Sequence, residues 1–163
     1  GRLRTVAANM RRCGLSQILV SDDDSIFYLI GCRVKAQERC GVLLIREDEQ
    51  VHAFMNELFC IPPVPGVIWH TYRDGEDVYG MIAAELHSGK VGFDKSWPSR
   101  HTISILEKRE DIIPVLGSAP VDDARMRKDR NCCGTPAVSM TLPLPMVFLT
   151  SMPLSLRRNW QSR

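Results

Sequence analysis

Residues 121–129, Val-Asp-Asp-Ala-Arg-Met-Arg-Lys-Asp, divide the chain into two stretches of different grammar. Before them, short apolar runs, turn residues and helix signals follow one another; after them no hydrophobic period is found. Charged and small residues around a single Met cannot form a buried strand, and they suit a solvated connector leading into a helix. The chain therefore reads as one domain over residues 1–120, a hinge over 121–129, and a tail of different character over 130–163.

Upstream of the hinge, Leu3, Val6, Ala7, Met10 and Leu15 recur at helical spacing with Arg2, Arg4, Arg11 and Arg12 on the other faces, and Gly14 supplies a stop. Residues 17–20 predict a short strand and 21–24, with Asp22, Asp23 and Asp24, a turn. The aromatic and β-branched run 25–31, ending at Gly31, predicts a second strand. From Cys32 to Cys40 the chain is polar and basic and is expected as an exposed loop. Residues 41–45 lack alternation, as suits a strand covered on both faces, and 51–55 return as its hairpin partner, which argues for a mixed sheet. Pro62, Pro63 and Pro65 make 62–66 a surface connection. A strand over 67–72, a helix over 78–86, a strand over 90–94, a helix through Ile103, Leu106 and Glu107, and a strand over 111–116 complete the domain. The expected fold is α/β, a mixed β-sheet with helices on its faces.

With 163 residues, 44% of them hydrophobic and 25% charged, the chain can build a real core. The formal net charge of +2 makes no strong field toward nucleic acid or an anionic membrane, and neither partner is expected. No apolar run reaches the roughly 18 residues of a membrane span, and no secretory leader pattern opens the chain, so the expected location is cytoplasmic. Cys13, Cys32, Cys40, Cys60, Cys132 and Cys133 show neither CxxC nor zinc-site spacing and read as reduced, buried thiols. His52, His70, His87 and His101 lie apart without ligand spacing, and the Asp22 to Asp24 run lacks the spaced oxygens and closing Glu of a calcium loop. No phosphate loop, GxSxG elbow or HExxH helix occurs. The one polar cluster with chemical promise is Arg33, Lys35 and Arg39, since an exposed loop can deliver cations to a peptide carboxylate; a merely solvated loop is the alternative.

Several landmarks recur in a fixed order: residues 10–15 ending the first helix, Tyr28-Leu29-Ile30-Gly31, Gly41-Val42-Leu43-Leu44-Ile45, Tyr72-Arg73-Asp74-Gly75-Glu76, Lys90-Val91-Gly92-Phe93-Asp94, and residues 121–129. Over residues 2–129 their order and spacing resemble the N-terminal domain of the creatinase and prolidase family, which includes Xaa-Pro dipeptidases and aminopeptidase P. The resemblance implies a ribonuclease-H-like α/β unit that helps build a homodimer and lends a loop to the partner subunit's active site. It also implies a hydrolase parent, a metallopeptidase using two divalent ions, often manganese, to activate water on Xaa-Pro peptides. The two Asp, one His and two Glu that hold those ions belong to a C-terminal catalytic domain, and none of their positions exists in this chain. The expectation is thus a noncatalytic domain with no catalytic residues, metal or cofactor of its own, zinc and manganese included. Its partner is the missing catalytic domain, and Arg33, Lys35 and Arg39 lie in a substrate-capping loop. The alternatives are a free-standing interaction or structural module of the same fold and, more distantly, a small hydrolase with a Cys nucleophile.

The tail carries a further expectation. The family continues past the hinge with a helix, whereas this chain has Asn131, Cys132, Cys133, Gly134 and then Pro136, Pro143, Pro145 and Pro153, a density that forbids a long helix. Reading one base earlier, the Asn131/Cys132 and Cys132/Cys133 overlaps must each encode Leu, and the next codon Arg or Trp. If the codon of Arg130 ends in G, Glu-Leu-Leu-Arg emerges, which is the helix pattern of the family. The expectation is a frameshifted tail, checked by sequencing across codon 130; a natural Pro-rich tail is the alternative.

Overall fold

The computed structural model describes residues 1–127. The expectations for the last two hinge residues and for the tail over 130–163 lie outside the described residues.

Six strands form one sheet in the order β4-β3-β2-β1-β5-β6. They are β1 (Gln17–Val20), β2 (Val42–Arg46), β3 (Val51–Asn56), β4 (Ile68–Tyr72), β5 (Gly89–Phe93) and β6 (Ile112–Leu116). The turn at 47–50 joins β2 and β3 as the expected hairpin, and β2 is antiparallel to both of its neighbours, while the β3–β4, β1–β5 and β5–β6 pairs are parallel. The sheet is therefore mixed. Helices α1 (Arg2–Arg12), α2 (Asp23–Ile30), α3 (Val78–Glu85), α4 (Ser99–Leu106) and α5 (Ala119–Met126) cover it.

Both faces are buried, which explains why β2 shows no alternation of polarity. Leu43 and Ile45 join Val6, Met10, Ile26 and Val121 in one core, and Val42 and Leu44 join Phe54, Ile82, Val91 and Ile105 in the other. Successive strand residues point to opposite faces, so a strand with two cores needs apolar residues throughout.

Two expectations are corrected. Residues 25–31 are the body of α2 rather than a strand. Asp22 sits at its N-cap with its carboxylate accepting from the Ser25 N–H, Asp23 and Asp24 occupy the first turn, and Gly31 closes the helix at φ 77°. Capping and the helix dipole outweigh the β preference of Ile26, Phe27 and Tyr28, and Ile26 and Leu29 face the core one turn apart. Residues 121–126, expected as solvated connector, belong to α5. Pro120 stands in its first turn, and Val121 and Ala124 are buried against the core that also holds residues of α1. Arg125 reaches back to Asp22 at 2.9 Å and to the Ser25 hydroxyl at 2.9 Å, so its charge serves an internal contact. The first helix also stops at Arg12, with Gly14 at φ 66° turning the chain before Leu15. Among the described residues no helix is long and apolar enough to cross a membrane.

Candidate functional site

The loop between α2 and β2 leaves the helix through left-handed Gly31 and returns over Gly41. A Cβ on Gly41 would meet the Val34 side chain at 2.9 Å and Ala36 at 3.2 Å, so the loop folds back closely onto the start of β2. The loop is less exposed than its polarity implies, because Val34 and Cys40 are buried at its ends. The Val34 N–H donates to Asp23 Oδ1 at 2.7 Å, the Tyr72 hydroxyl donates to the Cys40 carbonyl at 2.7 Å, and Arg100 of α4 donates to the Glu38 carbonyl. Three separate elements therefore tether it.

Its three cations have different environments. Arg33 meets Asp24 at 3.0 Å and Asp23 at 3.4 Å, and its guanidinium lies 4.6 Å from the centre of the Phe27 ring. Arg39 forks onto Asp74, Nε to Oδ1 at 2.8 Å and Nη2 to Oδ2 at 2.6 Å, and Asn56 donates to the same carboxylate at 2.9 Å. The Arg39 hydrogen bonds hold the Asp74 carboxyl below the usual carboxylate range. Lys35 is exposed and has no hydrogen bond or ion pair among the described residues. It stands on a groove of about 360 Å³ that Ser21, Asp23, Arg39, Trp97 and His101 also line. His101 is buried, its Nδ1 is 2.7 Å from the Tyr79 hydroxyl, and burial followed by the nearby Arg100 charge pushes its pKa down, favouring the neutral ring. The groove thus offers one uncommitted cation beside an aromatic and a neutral imidazole.

The histidines are not all isolated, contrary to the expectation from spacing. The parallel β3–β4 register sets Phe54 opposite His70, which lays His70 beside His52 on the same face, and the C-terminal turn of α3 brings Glu85 to them. His52 Nδ1 lies 3.0 Å from His70 Nε2 and 3.5 Å from Glu85 Oε2. Sequence separations of 18 and 15 residues hid this cluster, and only the strand register could have revealed it. The other two histidines, His87 and His101, take no part.

Among the described residues His52, His70 and Glu85 form the sole group of three or more His, Cys, Asp or Glu side chains whose ligand atoms all lie within 4.8 Å of one another. One carboxylate and two imidazoles do not fit the carboxylate-rich two-ion centre of a peptidase. Burial pushes the Cys40 thiol up to about 12, far from thiolate chemistry. Cys13 and Cys60 are exposed rather than buried, which corrects the expectation of uniformly buried thiols.

The family model for the creatinase/prolidase N-terminal domain matches residues 2–127. The chain belongs to this family. As a creatinase/prolidase N-terminal domain it has the fold of several solved relatives. A dipeptidase from Pyrococcus horikoshii superposes with a TM-score of 0.71 at 20% identity, over 80% of this chain and 38% of that one. A proline dipeptidase from Streptococcus pneumoniae gives 0.68 at 19% identity, over 77% of this chain and 98% of that one. The creatinase/prolidase N-terminal domain of an X-Pro dipeptidase from Streptococcus pyogenes gives 0.59 at 16%, over 70% and 98%. The matched part therefore spans well under half of the Pyrococcus dipeptidase. No curated protein matches the chain.

Proposed function

We propose that this creatinase/prolidase N-terminal domain serves a metal-dependent Xaa-Pro peptidase as its noncatalytic half, contributing to a homodimer and capping the active site of the partner subunit. What carries the capping role is the contrast within the loop: Arg33 and Arg39 are neutralised by Asp23, Asp24 and Asp74, whereas Lys35 is left uncommitted at a groove. A cation that no carboxylate on its own domain compensates is the one available to a peptide carboxylate. Catalysis and its two divalent ions, manganese or similar, belong in this reading to a catalytic domain that follows the hinge.

Lys35→Ala in the intact parent peptidase is expected to raise KM for Xaa-Pro dipeptides about tenfold, the equivalent of roughly 1.4 kcal/mol, with kcat and metal content unchanged. Arg39→Ala is expected to act differently, by freeing Asp74 and loosening the loop, so its effect should extend to thermal stability. Unaltered kinetics in Lys35→Ala across several peptides would leave a solvated loop as the better account.

A further inference from the structure

We propose that the cationic face of α1 docks an acidic surface of the catalytic domain that follows the hinge in the parent protein; this rests on the noncatalytic reading of the domain and adds to it the surface that joins the two. Arg4, Thr5, Ala8, Asn9 and Arg12 lie along one side of α1 and, with Arg127 just beyond α5, line an open hollow of about 460 Å³. No carboxylate of the described residues lines it. Arg4 and Arg127 are exposed and have no hydrogen bond or ion pair among the described residues, and Arg12 donates only to the neutral side-chain oxygen of Asn9. Elsewhere the domain neutralises its guanidiniums: Arg33, Arg39, Arg73, Arg109 and Arg125 each meet a carboxylate. Residues 1–127 also hold more Asp and Glu than Lys and Arg, so the hollow is a local concentration of positive charge rather than a reflection of the whole. Met126, 75% exposed, stands next to Arg127. Arginine and methionine together, with no lysine in the lining, match the composition of a protein interface better than that of ordinary solvated surface.

The spread of the charges selects the partner. Arg4 and Arg12 stand about 12 Å apart along the helix axis, too far for one phosphate or one carboxylate to meet both. Ala8 between them leaves a low floor on which another backbone can lie. The face therefore fits several carboxylates set out along a helix or strand of a protein. Nucleic acid fits less well, because a domain with an excess of acidic residues exerts no long-range pull on a polyanion. Residues 128–163 of this chain hold one acidic residue, Asp129, against Lys128, Arg130, Arg157, Arg158 and Arg163, so they are not the complement either. A domain joined through the hinge begins at the rim of the hollow, since Arg127 lines it, and meets the face at high effective concentration, so that individually weak ion pairs suffice.

The test compares this chain with the intact parent. Arg4→Glu combined with Arg127→Glu, checked for fold by circular dichroism, is expected to lower the lowest thermal midpoint of the parent by about 3 °C at low salt and by under about 1 °C at about 0.5 M salt, while leaving the midpoint of this chain unchanged. In the parent, Arg4→Lys should form a zero-length carbodiimide cross-link to an Asp or Glu of the catalytic domain. If the double reversal fails to fold, Arg4→Ala with Arg127→Ala and the cross-link decide. Equal shifts in both proteins, no shift in the parent, or a cross-link confined to the N-terminal domain would overturn the docking face. Binding of heparin or duplex DNA by this chain, abolished by the reversal, would overturn it too and assign the face to a polyanion. Should any of these results accompany a raised KM in Lys35→Ala, the docking face falls and the capping role stands; a parent with no catalytic domain after the hinge would remove both.

Discussion

Asp94 shows how much one side chain can organise. It is 9% exposed at the end of β5, and its Oδ2 accepts from the backbone N–H groups of Ser21 and Asp22 at 3.1 and 2.9 Å. Its Oδ1 accepts from the Ser96 N–H, the Ser96 hydroxyl and the Ser118 hydroxyl, each at 3.2 Å. One carboxylate therefore joins the segments that follow β1, β5 and β6. Asp94→Ala strands these donors and is expected to lower unfolding free energy by about 2–4 kcal/mol, read from urea denaturation. Asp94→Asn should recover only part of it, since the amide turns an NH2 toward at least one donor. A loss below measurement error in both variants would assign the clamp to packing instead. In the sequence this residue was only the last of a short strand motif, because nothing in the local pattern says which distant N–H groups it will meet. Lys35, Arg33 and Arg39 were similarly visible as cations, but their division into two paired and one uncommitted depended on Asp74 and on the α2 cap.

At the scale of elements, periodicity located β1, β2, β3, β4, β5, β6, α1, α3 and α4, because each has one or two apolar faces of a definite spacing. It failed at α2 and α5, where the deciding contacts are tertiary: Asp22, which caps α2, also accepts from Arg125 of α5. The two misread segments thus hold each other. Close packing next to α5 is equally hidden in sequence. A Cβ on Gly117 would stand 2.6 Å from the Gly92 Cα and carbonyl carbon, and the Gly117 N–H donates to the Phe93 carbonyl at 2.8 Å. Gly117→Ala must push backbone rather than a flexible side chain, with an expected cost of about 1–3 kcal/mol. Hydrogen exchange should show the accompanying loosening in α5 before the sheet. Equal protection of α5 in both proteins would mean that the strand ends absorb the extra methyl group without disturbing the helix.

For the described domain, the buried histidines set a pH dependence. His52 and His101 both have pKa values lowered from the usual 6.5, first by burial and then by Arg46 and Arg100 respectively. The unfolded chain therefore takes up protons before the folded one as pH falls. The associated stability is full above about pH 6.5 and is lost as pH drops through the folded values. Thermal midpoints measured from pH 8 to pH 5 should decline chiefly below pH 6.5, while Asp74 and Asp77, whose carboxyls are held down by Arg39 and Lys108, begin to contribute losses only nearer the ordinary carboxylate range. A flat profile down to pH 5 would show that these rings take up protons equally in the folded and unfolded states.

Gly1 and Arg127 line the same surface hollow together with Arg4, Thr5 and Ala8, and Asn9 near the other end of α1 donates to the Pro120 carbonyl at the start of α5. The two helices run past each other in opposite directions, so the polypeptide enters and leaves this domain at one corner. Tension applied between those two points would load α1 and α5 first, together with the Arg125 contacts that tie α5 to Asp22 and Ser25 of α2. In mechanical terms the sheet hangs beside the line of force, like a pendant on a cord.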